Sequence, residues 1–266
     1  MVGCGDLGSR IAQGLLGAGA TMHALTRRPL ALPDVTSLCG DVTDVSSLPE
    51  LPPEIDELVY CLTPVRRTEQ HYRVAYVQGL ANVLARLRGN ALTRITFISS
   101  TAVYAAAGSW VDESSVCVPD AFNGGVLLEA EQVAIAAHAE ARVLRLGGIY
   151  GPGRESLIRN VTEGRPISAR SLDWGNRIHV DDAAAAACHL ILIRAGGVFN
   201  LVDNMPASAA DVMDWIAIQL GLSVLSRPES GSETQGRRVK NAKLLASGFT
   251  FRYPDFRAGY ASLLPG

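Results

Sequence analysis

Apolar positions fall in short blocks separated by glycine, proline and charged residues, and the period changes from block to block. Residues 21–26, 35–38, 57–62 and 95–98 read as short buried strands, as do residues 142–146 and 198–202. Residues 9–20 and 68–87 carry a helical pattern instead. In the second of these, Tyr72, Ala75, Tyr76, Gly79, Leu80, Val83, Leu84 and Leu87 recur at helical spacing, and Gly89-Asn90 ends the run. Further helices are expected over 130–143 and 209–220, and the alanine run 183–187 follows Asp181 and Asp182 as capping residues. Strands alternating with helices predict an α/β fold, a Rossmann-type doubly wound parallel sheet. From Arg154 onward the chain becomes irregular, with Gly164-Arg165-Pro166, Trp174-Gly175 and residues 203–206. That change predicts one domain over 1–153, also receiving 176–202, and a smaller region over most of 154–266.

The first ten residues add candidate chemistry. Gly3-Cys4-Gly5-Asp6-Leu7-Gly8 spells G-x-G-x-x-G and runs into an apolar helical stretch. Gly3 would make the tight turn, Gly5 would let backbone approach a pyrophosphate, and Gly8 would let the helix pack against the sheet. Phosphates would then meet N–H groups at the positive helix end, around Asp6 and Leu7. About 20 residues beyond such glycines the fold meets the adenosine ribose. There the strand 21–26 ends in Arg27-Arg28 rather than in an acid. Guanidinium suits a 2′-phosphate, so NADP is expected, with NAD as the alternative. Asp41 is a candidate for the adenine amino group, with Val42 beside it, while Thr43 and Asp44 read as turn and cap residues. Thr63 closes the strand 57–62 next to the expected pyrophosphate.

Composition narrows the partners. With 24 Lys+Arg against 26 Asp+Glu and a formal charge of −2, neither nucleic acid nor a membrane surface is an expected partner. A small ligand in a cleft fits better. The five cysteines are scattered without C-x-x-C spacing, so no zinc site or disulfide framework is indicated and a cytoplasmic location is the default. His179, Asp181 and Asp182 read as capping and buried hydrogen bonding rather than as a metal site. One oddity concerns the start. Only Met1 and Val2 precede the glycine motif, where a strand of about five residues is expected. The expectation is a natural start several codons upstream.

Residues 95–104, ending in Ser99-Ser100-Thr101-Ala102-Val103-Tyr104, make the comparison specific. Together with Arg145-Leu146-Gly147-Gly148-Ile149-Tyr150-Gly151-Pro152-Gly153-Arg154, Asn176-Arg177-Ile178-His179-Val180-Asp181-Asp182 and Arg237-Arg238-Val239-Lys240-Asn241, they resemble an extended short-chain dehydrogenase/reductase of the NAD-dependent epimerase/dehydratase type. The resemblance implies that 1–153 with 176–202 is a dinucleotide-binding domain and most of 154–266 a small C-terminal substrate-binding region, that Gly148 lies near the nicotinamide amide, that Arg237 and Arg238 face a substrate diphosphate, and that two copies pair through the long helices, here from Tyr72 and Tyr76 to Leu87. It also implies a Tyr-x-x-x-Lys pair, with tyrosine as general acid/base. No such pair occurs in this chain. Alignment through Ala130-Glu131 puts Asn123 and Leu127 at the two positions. Ser100 keeps the orienting hydroxyl, whose other reading is a strand-end serine bonding local backbone. Tyr104 is the candidate replacement acid, with Tyr150 as the other. Two functions remain open: an atypical oxidoreductase or epimerase acting on a small polar or nucleotide-sugar-like substrate, and a dinucleotide-binding sensor or protein partner that has lost acid/base chemistry.

Overall fold

The computed structural model describes residues 1–89, 91–228 and 235–265; Asn90, expected to end a helix, lies outside them. The chain forms two compact units, one of Met1–Val103, Cys117–Arg145 and Ala184–Phe199, the other of Tyr104–Val116, Leu146–Ala183 and Asn200–Gly266. This differs from the expected break at 153. The N-terminal part of the first unit stops at Arg145, the later segment it takes in is Ala184–Phe199, and a short excursion, Tyr104–Val116, joins the second unit because its strand Ala107–Val111 pairs there with Gly236–Val239.

In the first unit, strands Met22–Thr26 and Val35–Cys39 pair in parallel, as do Glu57–Tyr60 and Arg94–Ser100. The latter pair continues through Arg142–Leu146 to Gly197–Leu201. Val2 joins the two sets through parallel bridges to Leu25 and Tyr60. Its backbone is fully used: Val2 N–H donates to Val59 O at 2.8 Å, Cys61 N–H donates to Val2 O at 2.8 Å, and Leu25 N–H donates to Met1 O at 2.9 Å. The Met1 ammonium donates to His23 O at 2.7 Å. Each strand therefore lies close to where the apolar blocks put it. Helix Asp6–Gly17 follows, burying Leu7, Ile11, Ala12 and Leu15.

The long helix departs from the regular one expected. It runs as Glu69–Tyr72, then a π-helical stretch Arg73–Gln78, then Gly79–Arg86. A strand side chain competes for its backbone at that point: the Tyr60 hydroxyl donates to Ala75 O, while the helix's own Tyr76 hydroxyl donates outward to Leu62 O at 3.1 Å. Such insertions are the usual cause of a local widening. Gly79 permits the approach, since a Cβ there would lie 2.6 Å from the Tyr60 hydroxyl. Tyr72 packs edge-on against Phe122 at 5.4 Å, and Tyr76 is buried.

Two charge networks tie this unit together. Arg142, fully buried, donates to Glu57, Thr96 and Ala195 O, joining the starts of three strands. Glu131, also fully buried on helix Phe122–Ala137, receives Arg145 through two nitrogens, with Nη2 at 2.6 Å, and Ser99 Oγ at 2.5 Å. The Ala130-Glu131 pair used for alignment thus pins its helix to the strand that ends in Ser99-Ser100.

The second unit holds a sheet in the order Ala207–Ser208, Trp174–Gly175, Gly236–Val239, Ala107–Val111. Arg238 sits over the Trp110 and Trp174 rings at 5.3 and 5.2 Å and donates to Gly108 O at 2.7 Å. Its guanidinium is thereby within cation–π range of two aromatic rings. Gly148–Tyr150 pairs in parallel with Arg177–His179, and Tyr150 stacks on Tyr260 at 4.5 Å within an apolar cluster that includes Ile167, Met213, Ile216 and Phe256. Asp182, rather than capping its own helix, accepts the N–H groups of Arg252 and Tyr253 at 2.9 and 2.8 Å. His179 Nδ1 accepts from Asp181 N–H at 3.2 Å. Asp203 is buried with one carboxyl oxygen unpartnered; burial pushes it up to about 7, opposed by the Met205 N–H bond and by Arg177.

Two outcomes follow from these networks. Glu131→Ala strands the Arg145 charge and is expected to cost about 3–5 kcal/mol, read as a fall in the urea midpoint, whereas Glu131→Leu with Arg145→Leu restores much of the loss. Asp203 favours the folded state while protonated, so its contribution is complete below about pH 4 and disappears as pH rises through about 7. Wild-type protein should therefore lose more stability between pH 5 and pH 8 than Asp203→Asn, in which that dependence is flattened; matching urea midpoints at both pH values would contradict this.

Candidate functional site

A cavity of about 830 Å³ opens in the first unit at the C-terminal ends of the strands Met22–Thr26 and Glu57–Tyr60. Gly3, Cys4 and Gly5 form its floor. The three motif glycines are required by three different contacts. Gly3 has φ +84°, and a Cβ there would lie 2.3 Å from Cys61 O; a Cβ on Gly8 would lie 2.1 Å from Gly3 O. Gly5 has φ −73° and nothing within 4 Å of an added Cβ, so its bare backbone faces open cavity rather than protein. Gly5 also precedes helix Asp6–Gly17, whose N-terminus carries no side-chain cap. A loop of this shape offers backbone N–H groups and the positive end of a helix dipole to an anion.

Arg27 and Arg28 line the same cavity where the strand Met22–Thr26 ends. Both side chains are exposed, and neither has a hydrogen-bond or ion-pair partner among the described residues. Their turn is held by its own bonds, Thr26 Oγ1 to Arg28 O at 2.6 Å and Leu30 N–H to Ser37 Oγ at 2.9 Å. Two unneutralised guanidiniums on a fixed turn make a site for a second anionic group. Asp41, Val42 and Thr63 also line the cavity. Asp41 Oδ1 accepts from Thr43 N–H and Oγ1 at 2.9 and 2.8 Å, and Val42 O accepts from Asn82 at 2.8 Å. Asp44 caps the short helical turn Val45–Ser47 through Ser46 N–H, and its bonds to Ser46 hold its carboxyl below the ordinary range.

Not every candidate from the sequence lines the cavity. The Asp6 carboxylate pairs with Arg10 at 2.9 Å on the surface, the Leu7 side chain is core, and Gly8 is the contact beneath the loop. Gly148, in the second unit, is exposed, with its N–H donated to Asn176 O at 2.8 Å. Gln70 and His71, from helix Glu69–Tyr72, and Val74, from the π-helical stretch after it, also line the cavity and are not among the candidates from the sequence. They fall within the amphipathic run 68–87, whose period alone does not say which positions meet a cavity.

The catalytic candidates separate. Ser100 is half-buried and its Oγ accepts from Ala102 N–H at 3.2 Å, the local-backbone arrangement, while its own proton remains available. Tyr104 is fully buried and donates to Asn200 Oδ1 at 2.9 Å. Replacing the missing acid requires a hydroxyl that a ligand can reach, so Tyr104 is corrected from candidate acid to core residue. Tyr150 is likewise buried, and burial, with Asp203 and Tyr260 adding to it, pushes its hydroxyl far above the ordinary tyrosine range. Asn123 is half-buried and Leu127 is buried on helix Phe122–Ala137. Gly124 brings that helix against the Ser100 loop, where a Cβ would lie 2.2 Å from Ala102 O.

Known proteins share this architecture. A solved structure described as a putative NAD-dependent epimerase/dehydratase from Methylobacillus flagellatus is 35% identical, with a TM-score of 0.82 covering 98% of this chain and 95% of that one. Protein YeeZ of Escherichia coli strain K12 is 27% identical over 209 residues, 76% of this chain and 73% of the relative. A 3-diazoavenalumate denitrifying reductase from a Streptomyces species is 25% identical over 244 residues, 82% of this chain and 79% of the relative. The profile of the NAD dependent epimerase/dehydratase family matches residues 3–201, from the first glycine of the loop to the end of the strand Gly197–Leu201. With glycine loop, strand order and sequence profile in agreement, this chain belongs to the NAD dependent epimerase/dehydratase family.

Proposed function

We propose that the chain is an NADP-preferring oxidoreductase or epimerase-like enzyme acting on a small polar or nucleotide-sugar-like substrate. The observation that carries the cofactor assignment is the pair of unpartnered guanidiniums, Arg27 and Arg28, on the rim of a cavity whose floor is the bare backbone of Gly5. The residues present fit a dinucleotide. Gly3 to Gly5 would take the pyrophosphate, Arg27 and Arg28 the 2′-phosphate, and Asp41 the adenine edge. When bound, the nicotinamide supplies hydride transfer. Ser100 keeps a hydroxyl proton available to orient a substrate carbonyl or hydroxyl, and the Glu131–Arg145–Ser99 network fixes the strand end that presents it. The reductase activity named for the Streptomyces relative supports the redox reading.

Asn123 and Leu127 favour a second reading, a dinucleotide sensor without turnover, since neither side chain exchanges protons near neutral pH. Hydride exchange from labelled NADPH across a panel of carbonyls and nucleotide sugars separates the two. Turnover that falls in Ser100→Ala supports the enzyme; a panel without any turnover supports the sensor.

For the cofactor, fluorescence titration should give tighter binding of NADPH than NADH by at least about tenfold, the order expected for charge-assisted contacts to one phosphate. Arg27→Ala with Arg28→Ala should abolish that preference, and equal affinities in the unaltered chain would sink the NADP assignment. The glycines give a paired outcome. Gly5→Ala should fold with stability changed by no more than about 0.5 kcal/mol yet bind NADPH poorly, because its methyl group occupies cavity. Gly8→Ala should instead lower stability by about 1–3 kcal/mol, because its methyl group meets the Gly3 carbonyl.

A further inference from the structure

The helix that begins at Glu69 contributes to the cavity lining an imidazole that the family resemblance gives no reason to expect. His71 lies in helix Glu69–Tyr72, is half-buried, and lines the cavity together with Gln70 and Val74. Its ring is held from one side. Thr68 Oγ1 lies 2.7 Å from Nδ1 and also accepts His71 N–H at 3.4 Å as the helix cap. With Thr68 Oγ1 donating its proton to Nδ1, the neutral ring carries its hydrogen on Nε2. Nε2 has no partner among the described residues and is not among the buried unpartnered atoms. The ring is therefore oriented by Thr68 with one donor left over, on a wall of the cavity.

The charges around the cavity decide what that donor faces. The guanidiniums lining it, Arg27 and Arg28, belong to the turn after Met22–Thr26, and Asp41, beside them in the lining, is occupied on Oδ1 by Thr43. Cys4 and Cys61 are its remaining titratable lining groups, and burial raises the Cys4 thiol. Apart from the two guanidiniums, His71 and Gln70 are thus the side-chain N–H donors that line the cavity with Gly3 to Gly5, while the loop supplies backbone donors. A pyrophosphate carries more acceptor oxygens than one loop can satisfy, and leaving charged acceptors unsatisfied on closure is costly.

We propose that His71 is a cofactor-binding residue that donates Nε2–H to the pyrophosphate of the dinucleotide, with Thr68 as the positioning residue that fixes its tautomer. The proposal rests on the dinucleotide reading of the cavity but not on the preference for NADP. It predicts that His71 senses the pyrophosphate and not the adenosine end, which belongs to Arg27 and Arg28.

The test is fluorescence titration of NADPH and NADH, with adenosine 2′-monophosphate, which lacks a pyrophosphate, as a competing probe. His71→Phe keeps the ring volume and removes the donor. It should weaken the better-bound dinucleotide by about tenfold or more, the value of a hydrogen bond to a charged group, and leave the inhibition constant of the monophosphate unchanged. His71→Gln, which retains an N–H, should recover most of the loss, and Thr68→Val should show a smaller loss of the same pattern. Melting of the ligand-free proteins reports whether each variant is folded. Unchanged dinucleotide affinity in folded His71→Phe overturns the proposal, as does equal weakening of dinucleotide and monophosphate, which marks the ring as cavity wall alone. If the unaltered chain binds neither dinucleotide, the reading of the cavity itself fails and the role of His71 fails with it.

Discussion

The structure of the first unit depends on two residues of backbone. Val2 and Gly3 bond on one side to Leu25 and on the other to Val59 and Cys61, joining two sets of strands into one sheet. Because the chain turns at Gly3 immediately after those bonds, the glycine loop emerges at a fixed height above both neighbouring strand ends. Everything that lines the cavity inherits that placement: Arg27 and Arg28 follow one neighbour, and Cys61 to Thr63 follow the other. Parallel sheets put ligands at the carboxyl ends of their strands where the strand order reverses, and the bridging position of Val2 is such a point.

Close approach, rather than chemical reactivity, dominates the residues around this loop. Gly3, Gly8, Gly79 and Gly124 each sit where a methyl group would collide with backbone or with a buried hydroxyl. Gly5 differs, since its missing side chain leaves space that no other part of the unit fills. Steric contact alone thus separates the glycines that pack against protein from the one that faces open space. The π-helical stretch belongs to the same economy of space. By taking Ala75 O, Tyr60 widens the helix, and the helix in turn carries Gln70, His71 and Val74 along the cavity wall.

Burial also redistributes the polar residues. Glu131, Arg142 and Arg145 are paired inside the first unit, where the cost of desolvation is offset by multiple hydrogen bonds. Arg238 lies within cation–π range of two tryptophans in the second, and Tyr104 and Tyr150 spend their hydroxyls on internal acceptors. Residue types that suggest catalysis in a linear reading are here part of what holds each unit together. Ser100 is different because, among the described residues, its oxygen accepts only a local backbone N–H and its proton has no acceptor.

By itself, the sequence determined the strand and helix alternation, the parallel sheet and the glycine loop, because these follow from local periodicity and from the backbone freedom of glycine. Arg27 and Arg28 were legible too, since their distance from the loop is set by one helix and one strand. The tertiary structure decided what periodicity does not encode. It set the division into units, because pairing of Ala107–Val111 with Gly236–Val239 joins strands far apart in sequence, a contact no local pattern specifies. It moved Tyr104 from the candidate site to the core, because exposure is a property of packing. It brought His71 to the cavity, because which helix positions line a cavity is fixed only when the elements around it are in place.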